Sequence, residues 1–171
     1  MARGYNPRLN RQASRWALIG IPTLSVMLGS MTTLWPSIAL YPLLPPMGLL
    51  MLLGWRTLVR DIWPVWVALP LGLFDDLFSG QPLGSAMLLW TIVFLVLDIF
   101  DRWMMWRDYR QDWAIAGSLI TIVLVLGLGI ANTTGGQTSL WLLLPQIAAS
   151  ILAFPAAVRM CAALDRLRWR L

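Results

Sequence analysis

Residues 83–131 read LGSAMLLWTIVFLVLDIFDRWMMWRDYRQDWAIAGSLITIVLVLGLGIA. Two apolar runs, Leu83–Phe100 and Trp113–Ala131, flank a short connection that carries Arg102, Arg107 and Arg110. A helix that crosses a bilayer needs about 20 predominantly apolar residues, and each run is close to that length. Connections that hold Lys or Arg stay on the cytoplasmic face. The stretch therefore predicts a helix that descends to the cytoplasm, an arginine-bearing inner connection, and a helix that returns.

The same alternation continues in both directions. All thirteen basic residues of the chain are arginines. Arg3, Arg8, Arg11 and Arg15 precede the first apolar run, Arg56 and Arg60 follow the second, and Arg159, Arg166, Arg168 and Arg170 lie at the C-terminal end. The connections around Trp35–Tyr41, Ser79–Leu83 and Asn132–Ser139 hold no cation. A wrong segment count would scatter the arginines over both faces. The expected fold is an all-α integral membrane protein with six transmembrane helices and both termini cytoplasmic. Its parts are a basic N-terminal tail over residues 1–15, one six-helix domain over 16–164, and a C-terminal tail over 165–171. The expected spans are Trp16–Leu34, Ser37–Trp55, Ile62–Phe78, Leu83–Phe100, Trp113–Ala131 and Leu140–Leu164. The second contains Pro42, Pro45 and Pro46 and is expected to be proline-broken, since each proline removes a backbone donor and clashes with the preceding turn. Pro70 lies inside the third, and Pro145 and Pro155 are expected kink sites in the sixth.

Composition supports the same class. Of the 171 residues 58% are hydrophobic and 12% charged, against about 25% charged in soluble domains; the mean hydropathy is +0.69. The net charge of +5 is read as membrane orientation and attraction to anionic lipid, with no nucleic-acid partner. The run Trp16–Leu34 is too long for a signal-peptide core and lacks a small-x-small cleavage site, so it is expected to remain as the first span. The single cysteine, Cys161, reads as an apolar packing residue. Histidine is absent, which removes the usual general base and the commonest metal ligand. No metal and no cofactor are expected. Of the eleven tryptophans, all but Trp66 and Trp90 fall near span ends, where indole rings favour the headgroup region. Those two are expected to be packed more deeply.

All eight acidic residues are aspartates. Asp61, Asp101, Asp108, Asp112 and Asp165 accompany arginines, with Asp101–Arg102 and Asp108 with Arg107 or Arg110 as expected solvated pairs. Asp98 is expected to pair with Arg102, four residues on along the same face. Asp75 and Asp76 lie inside the third span, Asp76 about 21 Å from Ile62 at 1.5 Å per residue. Ionised carboxylates at such depth face protein or water rather than lipid. Consecutive helical positions point 100° apart, so only one of the two shares a face with Gly72 and Gly80. Gly72 and Gly80 are expected to admit a close backbone, Asp76 to accept hydrogen bonds from it, and Pro82 and Gly84 to fix entry into the fourth helix.

The pattern Gly72-Leu-x-x-Asp76-Leu-x-x-Gly80-x-Pro82-Leu83-Gly84 resembles the signature of the MreD family of bacterial rod shape-determining membrane proteins. The resemblance extends to length, basic N-terminus, six spans and the proline-rich second segment. It implies a non-enzymatic scaffold in the bacterial inner membrane, part of the elongation machinery that builds lateral peptidoglycan. The implied partners are an MreC-like bitopic protein, a RodA-type glycan polymerase with its transpeptidase partner, and MreB filaments indirectly. The structural and partner-binding residues would be Gly72, Asp75, Asp76, Gly80, Pro82 and Gly84. A cytoplasmic basic face of Arg56, Arg60, Arg102, Arg107 and Arg110 would meet the cytoplasmic machinery or anionic lipid. Asp75 stands where an apolar residue is common in the family, which leaves the choice of carboxylate open. The family is also similar in fold to the substrate-binding subunits of energy-coupling-factor vitamin transporters.

That similarity supplies the alternative function. Such a subunit needs an outer polar pocket, for which Asp75, Asp76, Asn132, Thr133, Thr134, Gln137 and Thr138 are candidates. It also docks its partner through small residues on the first helix, as Ala13-x-x-x-Ala17 and Ser25-x-x-x-Gly29 would allow. An intramembrane aspartyl peptidase is excluded on geometry. It needs two carboxylates that share a proton, whereas Asp76 and Asp98 sit at opposite depths.

Overall fold

The computed structural model describes residues 15–34, 44–103, 108–135 and 139–168. It contains the helices α1 (Arg15–Met31), α2 (Met47–Leu58), α3 (Ala68–Ser79), α4 (Ser85–Trp103), α5 (Tyr109–Thr133) and α6 (Leu144–Arg168), with short 3-10 turns at Thr32–Leu34, Val65–Val67 and Leu140–Leu143. There is no strand among the described residues. The described residues hold one helix for each expected segment. The basic tail before Arg15, the half of the second segment before Leu44, and Arg107, Gln137, Thr138 and Arg170 lie outside the described residues.

Prolines set several helix starts. Pro46, at φ −69° and ψ 91°, immediately precedes α2, so the expected break near Pro45-Pro46 is where the helix begins. Pro64 precedes the 3-10 turn Val65–Val67, and Pro70 falls in the first turn of α3, where its missing N–H costs little. The third helix consequently starts at Ala68 rather than near Ile62. Pro145 likewise occupies the first turn of α6 and is no kink site; Pro155 is inside that helix.

Helix α2 is the axis of the bundle. Every residue from Gly48 to Arg56 is buried, the pattern of a helix enclosed on all sides. Around it α1, α3, α4, α5 and α6 pack as a closed ring, each against the next and α6 back against α1. Small residues let the neighbours approach. A Cβ on Gly29 of α1 would lie 3.0 Å from the carbonyl oxygen of Met47, and one on Gly54 would lie 3.0 Å from the sulfur of Cys161 on α6. The indole of Trp55 donates to Ser25 Oγ at 2.7 Å, closing α2 onto α1. Ser25 and Gly29 are thus used inside the chain, against α2, and not on an outward docking stripe. Cys161 is fully buried against Met51, the packing role its lone occurrence implied.

The two ends of the bundle differ in charge. At one end the buried guanidinium of Arg56 bonds the carbonyl of Arg60, pairs with Asp98 on α4, and lies 3.5 Å from Asp101. Its planar face sits over the Phe94 ring at 5.3 Å, a cation–π placement. Arg168 at the end of α6 pairs with Asp165 at 2.7 Å, donates to the Leu18 carbonyl of α1, and lies 5.6 Å over Trp55. Asp98 therefore pairs across helices with Arg56, not along its own helix with Arg102, which is exposed. Asp101 also turns inward to Arg56. At the start of α5, Asp108 donates its N–H to Gln111 Oε1 at 3.3 Å, a helix-capping contact; Arg107, one of its two expected partners, lies outside the described residues. Trp90 is buried, but Trp66 is 65% exposed, because the 3-10 turn after Pro64 points it outward.

Removing one partner of a buried ion pair leaves the other uncompensated and costs ~3–5 kcal/mol when both are fully buried. Asp98 is 31% exposed, so Arg56→Ala should cost about 2 kcal/mol, and Arg56→Met with Asp98→Leu should recover part of the loss. Thermal unfolding of the purified variants measures both.

Candidate functional site: the α3–α4 hairpin and the cavity beside it

The hairpin is built around one carboxylate. The first N–H groups of a helix have no intrahelical partner and carry the positive end of its dipole. The residue that would cap α4 is Gly84, whose carbonyl accepts from Leu88 N at 3.0 Å and which has no side chain to contribute. Asp76 supplies the cap from α3. Its Oδ1 accepts from Ala86 N at 2.8 Å and Ser85 Oγ at 3.0 Å; its Oδ2 accepts from Gly84 N at 2.9 Å and Met87 N at 3.2 Å. Asp76 is 3% exposed, so these four bonds are its whole environment of donors.

The flanking residues make that approach possible. A Cβ on Gly72 would lie 2.5 Å from Met87 Cα and 2.8 Å from the Ala86 carbonyl carbon, so only glycine lets the two helices come this close. Gly80 differs from expectation. Its Cβ position faces open space and its φ is 67°, so it ends α3 in the left-handed conformation and packs no partner backbone. Pro82 accepts from Ser85 N at 3.0 Å through its carbonyl, and Gly84 has φ 95°. Together they turn the chain into α4.

Asp75 points elsewhere. A Cβ on Gly48 of α2 would meet Ser30 Oγ of α1 at 2.3 Å and Asp75 Oδ1 at 3.0 Å, so three helices converge at this carboxylate. Asp75 also lines two adjoining cavities of about 280 and 390 Å³, which share Pro46, Asp75, Gln81, Leu124 and Gln146. These cavities lie where α1, α3 and α5 end and α2 and α6 begin, the end of the bundle opposite Arg56 and Arg168. Among the described residues no lining residue is a cation. Of the polar residues expected near a pocket, Asp75 lines it, Asp76 is consumed by the hairpin, and Asn132, Thr133 and Thr134 are exposed at the end of α5 and are not among the lining residues. Gln81, Gln146 and Ser30 were not singled out from the sequence, and isolated amides and a serine in apolar runs gave no signal.

The basic face is smaller than expected. Arg56 is interior, while Arg60, Arg102 and Arg110 retain exposure. Asp76 and Asp98 do not meet: Asp76 sits at the first turn of α4 and Asp98 in the same helix roughly 18 Å further on. No group of three or more His, Cys, Asp or Glu among the described residues could hold a metal ion. Comparisons with protein-family models, with curated proteins and with solved structures returned no match for this chain.

Bonds to a charged acceptor contribute ~1.5–3 kcal/mol each before coupling. Asp76→Ala should destabilise the fold by about 3 kcal/mol, with Asp76→Asn less severe because the amide oxygen still accepts. Gly72→Ala should cost ~1–3 kcal/mol through overpacking. Unfolding midpoints in one detergent order the three variants.

Proposed function

We propose that the chain is a six-span protein of the bacterial inner membrane, both termini cytoplasmic, that acts as a non-enzymatic scaffold in lateral peptidoglycan synthesis and rod shape. The observation that carries the reading is the use of Gly72, Asp76, Gly80, Pro82 and Gly84 to build one hairpin. A signature whose one carboxylate, Asp76, is wholly engaged in fixing the hairpin suits an assembly surface better than a catalyst.

Membrane residence is supported by the exterior. Helix α5 and the stretch Leu140–Arg168 are long and apolar enough to cross a bilayer, and less than a third of each apolar window is buried in the bundle. Leu24, Leu28, Leu77, Leu83, Leu88, Ile99 and Leu152 are each more than half exposed. Soluble monomers rarely carry contiguous apolar surface beyond a few hundred Å². The short helices α2 and α3, 12 residues each, reach only about 18 Å; α2 lies inside the ring, shielded from lipid. The arginines at one end of the bundle support cytoplasmic placement of that end. In this reading the hairpin and its outer turn hold an MreC-like bitopic protein or the RodA-type polymerase and its transpeptidase, and the exposed Arg60, Arg102 and Arg110, with Arg107, meet anionic lipid or the machinery that follows MreB.

The cavity at the arginine-free end favours a second reading, a substrate-binding subunit of an energy-coupling-factor-type transporter. Co-purification from mild detergent separates the two. Recovery of a bitopic protein and wall polymerases supports the scaffold; recovery of a transporter ATPase and its coupling subunit supports the transporter. Under the scaffold reading Asp76→Ala should insert normally yet recover less partner and give rounded cells. Normal shape with unchanged recovery would remove that role. Neutralising Arg107 and Arg110 together should weaken association with the cytoplasmic machinery or anionic vesicles, with topology unchanged by cysteine-accessibility mapping.

A further inference from the structure

We infer that the paired cavities beside Asp75 are a binding site for an ammonium group carried on an apolar body. The inference needs neither role proposed above, only the cavity.

Three observations converge. The first is charge. Among the described residues Asp75 is the one acidic side chain that lines either cavity, and no lysine, arginine or histidine lines them. Its neighbour Asp76 is saturated by the N-terminus of α4 and offers Asp75 no compensation. The start of α2 lies beside Asp75 and favours a carboxylate through its dipole, yet no backbone N–H of α2 is bonded to it. A carboxylate in an apolar recess attracts a positive ligand far more strongly than in water, and the site repels anions.

The second is unfilled bonding capacity. Ser30 is 1% exposed and its hydroxyl lies against Asp75, to which it donates, while the buried hydroxyl of Ser79 has no hydrogen-bond partner. Both line the larger cavity with Asp75. Buried polar atoms in folded proteins are nearly always bonded, and a hydroxyl that donates to a carboxylate keeps its acceptor lone pairs, so Asp75, Ser79 and the lone pairs of Ser30 define a socket that a three-donor ammonium matches. A metal ion is disfavoured, because a single carboxylate is a poor ligand set for a hard cation.

The third is shape. The smaller cavity, which shares Leu124 and Gln146 with the larger, is walled by Leu49, Leu89, Trp90 and Val123. Small-molecule sites are mainly apolar recesses of ~300–1,000 Å³ with a few convergent polar groups; the larger cavity, at about 390 Å³, falls within that range and the smaller, at about 280 Å³, lies just under it. The apolar chamber takes the body and the Asp75 chamber the head.

Such a ligand comes from either of two sources, a small amine in the outer medium or the headgroup of an ethanolamine phospholipid. The test uses the full chain in phosphatidylglycerol nanodiscs, with phenethylammonium as probe and neutral 2-phenylethanol as control, binding read from tryptophan fluorescence and saturation-transfer NMR. The amine should bind at least about tenfold tighter than the alcohol, a factor worth ~1.4 kcal/mol. Asp75→Asn should abolish that preference, and Leu124→Phe, which obstructs both chambers, should weaken both compounds. Equal binding of the amine and the alcohol by the unaltered protein would overturn the proposal, as would an undiminished preference in Asp75→Asn. The alcohol comparison and Leu124→Phe keep the test decisive if Asp75→Asn does not fold. Adding phosphatidylethanolamine to the discs assigns the source: suppression of amine binding identifies the lipid headgroup, and no suppression identifies a soluble amine.

Discussion

The bundle hangs on the bond set between one carboxylate and the start of one helix. A helix N-terminus packed inside an apolar assembly presents N–H groups that neither water nor lipid satisfies. Asp76 meets that demand from the adjacent helix, and it can do so only because Gly72 lets the two backbones nearly touch. The constraint then propagates. Once α3 is fixed against α4 through Asp76, the next carboxylate along, turned by 100°, must face α1 and α2. Two consecutive aspartates of identical chemistry thus acquire opposite circumstances, one saturated and one beside an open space.

At the other end the charges serve a different purpose. Arg56 and Arg168 are interior, each tied to aspartate, to a backbone carbonyl and to an aromatic face. The first joins the end of α2 to α4; the second joins the end of α6 to α1 and to Trp55. These contacts register the helix ends where connections are short, while the arginine-free end is held by the α3–α4 hairpin and by Gln146, which donates to the Leu44 carbonyl at 3.1 Å.

Much of this was written plainly in the chain, and the reasons for the remainder are physical. Apolar segment lengths located the helices, and proline positions located the starts of α2 and α3 to within a few residues. Gly72 and Asp76 were legible because a glycine and a carboxylate four apart at a helix end have few other uses. The choice between Asp75 and Asp76 was not, since it depends on which face meets α4. Asp98 misled for a related reason: Arg102 stands at helical spacing along the chain, but Arg56, 42 positions away, is enclosed and has the greater need of an anion. Gly80 looked like a packing residue because it continued a four-residue spacing, and the helix had already ended. Trp66 followed from treating the segment after Pro64 as α-helix, when a tighter turn rotates it outward. Ser30, Gln81 and Gln146 come together only through tertiary structure.

The closed ring has a consequence for the timing of synthesis. Cys161 covers Met51 from 110 positions further along, and Arg168 reaches back 150 positions to Leu18. At usual elongation rates those 110 residues take roughly 5–20 s to emerge. Throughout that interval the axial helix stands with one flank bare, and the last helix made is the one that seals it. The flank it offers while waiting, Met51 and Gly54 with their own backbone bonds complete, bears no polar side chain, so in the membrane placement proposed above hydrocarbon can occupy the gap without stranding a donor.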